Sequence, residues 1–492
     1  MRSYLILLML VMCSRLASQS MDTIPLSLAQ AVEISHSDAP DVAIARTIYS
    51  NNYWRYQSFL ANYRPAITFN ATLPNLNRSI QPITLPNGQD AFISRSLMTN
   101  GAGISLQQGV AATGGRVFMR TNLERIDIFG TDEKPGFISY LSTPVSIGFE
   151  QPIFGFNQLK WGKKIEPLRY EESRKRYSEN MAETALRTTE LFFDVLMAQY
   201  SLEAARKDKA DADTLLSISK GRFEVGRIAL DELLQIELSS MNAEAAIAQQ
   251  TLTMQTATER LRDFLGIRTA VVFQLVTPAG IPDFRVDAHK ALLQARMNRS
   301  DVLAFERRNA EAQMTIAQAR AERGLQMNLF GSFGLSQTGP DIETAYTRPL
   351  DQEQVVLGIT LPIADWGRSR ANLEIAQSNQ ELVEMQVAQE RINFEREILI
   401  RVQQFDLVRN QVQLAMAAHD VSKRRLEMSR NRYMIGKILI TDLNLALREE
   451  AEARRSYVSA LRNFWLAYYD LRRITLYDFE NDRPLIETPE EK

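Results

Sequence analysis

The chain has 492 residues, 57 Lys and Arg against 59 Asp and Glu, and a formal net charge of −2, so it lacks the basic footprint of a nucleic-acid binder. A prior of about 150 residues per domain would suggest roughly three globular domains, but the 22 Gly and 17 Pro are few and clustered. From Pro362 to Pro484 no other proline occurs, and the interval holds only Gly367 and Gly436, which reads as helix broken once.

Residues 1–20 read as a secretory signal peptide, with Arg2 as its charge, Tyr4 to Met12 as its apolar core and Ser18-Gln19-Ser20 at the cleavage site. The sole cysteine, Cys13, lies inside it. A lipid anchor at Cys13 is the alternative, although Met12 stands where lipoprotein signals prefer a small residue. After residue 20 no apolar run approaches the ~20 residues of a membrane helix.

Residues 21–276 form a first structural repeat. Helix is predicted over 26–64, with Leu28, Ala31, Val32 and Ile34 at its start, an interruption at Pro40 and an end at Pro65. The period then changes to two: Ile67, Phe69, Ala71 and Leu73 alternate with Thr68, Asn70 and Thr72, a strand near 65–75. Residues 76–142 read as an expanded outer loop, rich in turn formers such as Pro86-Asn87-Gly88, Gly101, Gly103 and Gly114-Gly115. Within it Ile104–Val110 and Val117–Leu123 have strand character, so the segment is either an outward hairpin or an addition to a sheet. A strand returns near 143–152 through Val145, Ile147 and Phe149 and is closed by Pro152. A helical hairpin follows over 158–265, with its tip at 221–232, Gly226 in a left-handed C-terminal position and Asp231 as the next N-cap.

Residues 277–283 link the repeats, and residues 284–480 repeat the plan, with strands near 324–336 and 353–362, a hairpin over 367–478 and a tip at 431–442 around Gly436, with Thr441 as the next N-cap. Residues 481–492 are a C-terminal tail. Apolar residues recur every seven in the long helix, in one seam of Met385, Ile392 and Leu399 and another of Ile398, Phe405 and Val412, so each helix packs against more than one neighbour. At 1.5 Å per residue a helix of this length measures on the order of 100 Å.

The repeat is visible residue by residue. Gly221–Leu233 reappears as Asn431–Leu443, Gly226 maps to Gly436 and Pro152-Ile153 to Pro362-Ile363, all 210 residues apart. Ala31 maps to Ala291, Asp41-Val42 to Asp301-Val302 and Ile67 to Met327, all 260 apart, so the 50-residue difference lies between the two strands of the first copy. Each copy is helix, strand, strand and long helical hairpin. The strands have the length and alternation of bilayer-crossing strands. Four of them cannot stand alone in lipid, because open edges leave backbone N–H and C=O groups unsatisfied at several kcal/mol each. Several chains must therefore pool their strands.

These features resemble the TolC-type outer-membrane factors, the outer membrane efflux protein family. The resemblance covers nearly all of the mature chain. It rests on the duplication, on Gln151–Phe154 and Leu361–Gly367 at the strand-to-helix junctions, and on the two Gly-centred turns. It implies a mainly α protein with transmembrane β structure, a homotrimer whose 12-stranded outer-membrane barrel continues into a periplasmic α-helical barrel. Residues 76–142 are a departure from that plan. By the resemblance Glu232, Tyr433, Asp442 and Leu445 stand at the gate of the tip. Ile438 and Leu445 replace an arginine and an aspartate of the family's latch, so an apolar constriction takes over part of its role. Helix-end stabilisation explains Glu232 and Asp442 equally well, since carboxylates in a first helical turn gain about 0.3–1 kcal/mol from the macrodipole. Val225, Ile228, Leu230, Ile435, Leu439 and Ile440 are candidate contacts for a periplasmic adaptor, or else pack the tip turns together.

His36, His289 and His419 are widely separated, with neither a nucleophile nor a metal-ligand spacing, and no phosphate-binding loop is present. No enzyme activity and no cofactor is predicted, and transport energy must come from an inner-membrane pump of the RND or ABC type. Trp161 and Trp366 follow the strands, where aromatic belts meet the bilayer interface. The cluster Phe464, Trp465, Tyr468 and Tyr469 reads as helix packing rather than a ligand box. The resulting expectation is a passive exit channel of a tripartite efflux system. Its alternatives are a duct for type I protein secretion or metal-ion efflux and, outside transport, a secreted coiled-coil protein with no pore.

Overall fold

The computed structural model describes residues 23–84, 86, 88–130, 135–269, 272–278, 280–434, 437–438 and 440–486. The predicted signal peptide with Cys13, and residues 487–492 of the tail, lie outside them. The chain divides into two compact units: residues up to 49 with 174–300 and from 392 onward, and residues 50–173 with 301–391.

The helical boundaries carry the duplication. Helix α1 (Leu28–Asp38) and α2 (Pro40–Ala61) correspond to α5 (Ala288–Asn298) and α6 (Ser300–Arg323), whose starts lie 260 residues later. The long helices α3 (Gln158–Glu224) and α8 (Arg368–Met434) each have 67 residues and start 210 apart. Their return helices α4 (Leu230–Phe264) and α9 (Ile440–Thr475) start at the same offset. Two expected N-caps are corrected. Helix α4 is capped at Ala229 and α9 starts at Ile440, so Asp231 and Thr441 lie inside the first turn. The extended backbone of Ala229 (φ −82°, ψ 159°) starts α4 with no side-chain cap bond.

Pro40 breaks the first helix as expected, because the residue before a proline avoids the helical region, and Ala39 is extended (φ −60°, ψ 136°). The second repeat breaks at the same place without a proline: Arg299 is extended (φ −75°, ψ 147°) and Ser300 opens α6. Proline has no N–H to satisfy, but Ser300 has one. Glu179 of α3 accepts it at 2.7 Å, and Glu179 Oε2 accepts the Ser300 hydroxyl at 2.9 Å. Arg299 Nε lies 3.1 Å from the same buried carboxylate.

The first unit is built round one apolar core. Phe405 and Ile398 of α8, Phe192 and Leu196 of α3, and Leu461 and Phe464 of α9 are fully or almost fully buried there. Phe405 lies 5.4 Å from Phe284 and 5.3 Å from Phe464, centroid to centroid. Phe464, Trp465, Tyr468 and Tyr469 are packing residues of this core, as expected. A parallel pair not foreseen in the sequence closes it: β1 (Thr23–Leu26) lies beside β6 (Val272–Leu275), with Leu26 opposite Leu275. The tail also folds back, β10 (Arg483–Pro484) pairing with β9 (Tyr477–Asp478).

The second unit holds the sheet. Among the described residues it has six antiparallel strands in the order β2-β3-β4-β5-β7-β8. They are β2 (Ala66–Thr84), β3 (Asp90–Val110), β4 (Gly115–Ile128), β5 (Phe137–Ile153), β7 (Gln326–Gly339) and β8 (Leu350–Thr360). A five-residue helix α7 (Ile342–Tyr346) sits in the β7–β8 connection. The expected four strands per chain are thus corrected to six, and residues 76–142 are mostly sheet rather than loop. The glycines that suggested turns are the reason. Gly101 and Gly103 lie inside β3, and a Cβ on Gly103 would sit 2.6 Å from the Thr121 carbonyl oxygen, so glycine permits close strand approach there. Beyond Leu97, which pairs with Ile128, β2 and β3 continue as a two-stranded hairpin to Thr84 and Asp90. Pro152 does not close β5. It lies opposite Asn328, and the strand ends one residue later, where Phe154 turns to φ 63°.

Replacing Glu179 by Ala removes the acceptor of the buried Ser300 N–H, which costs about 1–3 kcal/mol. Glu179→Ala is expected to lower the thermal midpoint, and Glu179→Gln, which keeps an acceptor oxygen, to lower it less; circular dichroism melting in detergent reads both.

Candidate channel wall and helical tip

Cross-strand partners point to the same side of a sheet, so the register sorts the wall into two faces. One face runs from Phe69 through Ile104, and from Leu106 through Met119 and Ile147 to Phe333. It continues through Leu329 to Leu357 and through Met327 to Ile359. Ile67, Phe69, Ile104, Met119, Ile147, Phe333, Val355 and Ile359 are exposed on it. Between Met327 and Leu335 of β7 this face measures about 26 Å along the strand, or about 20 Å after a ~40° tilt. That approaches the ~25 Å apolar band of an outer-membrane barrel. On β8 the apolar residues of this face stop at Val355, because Glu353 and Asp351 stand opposite Phe333 and Leu335, and on β4 Arg125 and Asp127 carry charge on the same face.

The other face is polar. One register line across the sheet reads Thr68, Ser105, Arg120, Ser146, Gly334 and Gln352. Glu150 of β5 accepts from Arg116 Nε of β4 at 2.8 Å and from Asn328 Nδ2 of β7 at 3.1 Å. Phe118 lies over Gly148, where a Cβ would come within 2.5 Å of its ring, and stacks on Phe330 at 5.8 Å. Arg120 covers the Phe118 ring at 4.3 Å. A basin lined by Asn70, Arg120, Asn122, Ser146, Gln352 and Gln354 follows this face. These residues were missed in the sequence, where Arg116 to Asn122 lay within the expected outer loop.

At the sheet-to-helix junctions the two repeats use different caps. Asn157 Oδ1 accepts from the Lys160 N–H at 2.9 Å and starts α3. At α8 Asp365 does this work: its carboxylate accepts from the Gly367 N–H at 3.0 Å and the Ser369 N–H at 2.9 Å, as well as from the Ser369 hydroxyl. Trp366 (φ 56°) and Gly367 (φ 85°) make the bend. Of the two expected interfacial aromatics, Trp366 is 98% exposed, whereas Trp161 is half-buried on α3 with Lys164 Nζ 5.3 Å from its ring centroid.

The tip of the first hairpin closes as a glycine-terminated helix. Gly226 has φ 71°, its N–H donates to Phe223 O at 2.9 Å, and the Arg227 N–H donates to Arg222 O at 2.8 Å. The second tip repeats the longer bond, from the Lys437 N–H to Arg432 O at 2.9 Å. Arg222 and Arg432 lie in last turns and Asp442 in a first turn, so the macrodipole role of each is in place. Of the expected gate residues, Asp442 and Leu445 are exposed on α9, whereas the side chains of Glu232 and Tyr433 lie outside the described part. Of the expected adaptor contacts, Val225 (68%) and Leu230 (56%) are exposed and Ile228 is half-buried. Gly436, Ile435, Leu439 and the Ile440 side chain lie outside the described residues.

Among the described residues no helix is long and apolar enough to cross a membrane. The family model for outer membrane efflux proteins matches residues 132–267 and 291–475. The chain belongs to that family, and its place is the outer membrane. It is 22% identical over 295 residues to the outer membrane protein TolC of Vibrio cholerae, an alignment covering 58% of this chain and 66% of that relative's length. The fold is similar to that of the Campylobacter jejuni CmeC outer membrane channel, with a TM-score of 0.65 and 15% identity, over 94% of this chain and 87% of that one. It is also similar to a membrane protein from Pseudomonas aeruginosa, with a TM-score of 0.64 and 17% identity, over 93% and 92% of the two chains. Family membership and the six-stranded sheet overturn the reading as a poreless coiled-coil protein.

The hydrogen bond from the Ser369 hydroxyl, followed by those from the Ser369 and Gly367 N–H groups, holds the Asp365 carboxyl below the usual carboxylate range. A depressed folded value means that the cap stabilises fully above the ~3.9 of an unfolded aspartate and fades as pH falls through the folded value. Asp365→Ala is therefore expected to lower the melting temperature at pH 7, with the gap to wild type narrowing in acid; melting curves across pH 2–7 check it.

Proposed function

We propose that this protein is the outer-membrane exit duct of a tripartite efflux system, working as a homotrimer without covalent chemistry on its cargo. The observation that carries the reading is the two-faced sheet with two open edges. An apolar face approaching bilayer height backs a polar one, and among the described residues neither β2 nor β8 has a partner on its outer side. Lipid does not tolerate such edges, since each unpaired backbone group costs several kcal/mol. Further copies of the chain supply the missing partners. The long helices point the same way. The seam of Ile398, Phe405 and Val412 is buried within one chain, but Met385, Ile392 and Leu399 are exposed, as are Leu407, Leu414, Val421 and Met428 at successive sevens. Apolar rows of that length mark helix–helix interfaces with neighbouring copies.

In this reading the helical hairpins of three copies form a periplasmic tube and meet at the Gly226 and Gly436 turns. Glu232, Tyr433, Asp442 and Leu445 narrow the tube there. Val225, Ile228, Leu230, Ile435, Leu439 and Ile440 offer apolar anchors to the helical hairpin of a periplasmic adaptor. An inner-membrane pump of the RND or ABC type, reached directly or through the adaptor, supplies the energy. The cargo passes through the polar interior and leaves chemically unchanged.

Planar-bilayer recording tests the gate. The double variant Asp442→Ala, Tyr433→Phe is expected to raise single-channel conductance over wild type while leaving the trimer band on mild gels unchanged. Equal conductance removes the gating role and leaves Asp442 as a helix-end charge only.

A further inference from the structure

We propose that β3 and β4 are full members of the barrel wall, so that three copies close an 18-stranded barrel in which β8 of each copy pairs with β2 of the next. The inference rests on the three-copy reading above and goes beyond it in the size of the exit. Strand pairing comes first. β2 is bonded to β3 and β5 to β4, with no β2–β5 pairing. A hairpin standing outside the wall would need β2 and β5 to meet, as β7 and β8 do.

Chemistry is the second argument. Leu106 of β3, Met119 of β4 and Ile147 of β5 form one direct line, Ala102 and Ile104 share the face of Leu106, and Val117 lies opposite Phe149; the β4–β5 register shifts only between Arg120 and Asn122. Their reverse face carries Ser105, Gln107, Arg116 and Arg120. A segment held in water beyond the membrane has no use for an apolar row of bilayer height on one side only. The third argument is the edges. β2 and β8 run in opposite directions, so joining them between copies is antiparallel and leaves an even number of strands. Ile67 and Phe69 on β2 and Val355, Leu357 and Ile359 on β8 are all exposed on the same face, so both edge strands bring apolar side chains to the seam on the same side.

Strands about 4.8 Å apart and tilted by ~40° give a backbone diameter of about 36 Å for 18 strands, against about 24 Å for 12. Strand numbers in that range leave an aqueous channel. The exit therefore passes bulky hydrated cargo freely, and size selection falls to the helical tip.

Wild-type protein in nanodiscs tests the proposal. Native mass spectrometry gives the copy number, and electron microscopy along the axis gives the barrel diameter. Three copies with a diameter of about 36 Å are expected. Three copies with about 24 Å overturn the 18-strand wall and leave the channel reading standing, whereas one or two copies overturn both. A second measurement addresses the seam: in a Cys13→Ser background, Val355→Cys is combined in turn with cysteine at Ile67, Phe69, Ala71 or Leu76 and oxidised. Disulfide-linked ladders up to the trimer are expected for at least one pair. A protein that is trimeric by mass but gives no linked species with any pair overturns the β8–β2 seam.

Discussion

Backbone hydrogen bonding in lipid is the constraint on which this protein depends. A peptide N–H or C=O in hydrocarbon has no water to turn to, so every spanning segment must satisfy its own backbone or borrow a neighbour's. The sheet does this along five internal seams and stops at β2 and β8. Alternation of apolar and polar residues meets the second demand, because a strand touching lipid on one side and water on the other needs a period of two. The exposed row from Ile67 to Ile359 and the Arg116–Glu150–Asn328 cluster behind it are two faces of that one requirement.

The same constraint explains why residues 76–142 add two strands rather than one. The chain must leave the sheet at the end where it entered, because β5 hands over to α3 just as β8 hands over to α8. An odd insertion would place the start of a 67-residue helix at the wrong end. Insertions are therefore tolerated as hairpins. The helical offsets of 210 stay intact on either side of the enlarged sheet. The fit of Phe118 over Gly148, and the close approach at Gly103, are how the extra pair was packed into place.

Most of the helical architecture was legible in the sequence. The break at Pro40, the gap between α3 and α4 at Gly226 and the buried seam through Phe405 follow from proline geometry, glycine's freedom at positive φ and a seven-residue repeat. The sheet was half legible. Ile67–Leu73 and Val145–Phe149 alternate cleanly, and Ile104–Val110 with Val117–Leu123 had strand character. Gly101 and Gly103 looked like turns because propensity cannot distinguish a bend from a close cross-strand contact. The pairing of Thr23–Leu26 with Val272–Leu275 left no local signal, since four-residue strands far apart in the chain are specified only by the core they cover. The cap at Ser300 was equally invisible, because its acceptor, Glu179, comes from 121 residues away.

The enlargement of only one repeat separates two symmetries within a single polypeptide. Helices α3 and α4 have near-equivalents in α8 and α9, whereas the first repeat contributes four strands to the sheet and the second contributes two. A ligand that grips the helical hairpins meets two related footprints on each chain, and one that grips the long β2–β3 projection meets a single footprint. Binding stoichiometry per subunit would therefore differ between partners that grip the helices and partners that grip the sheet, even though both dock on the same molecule.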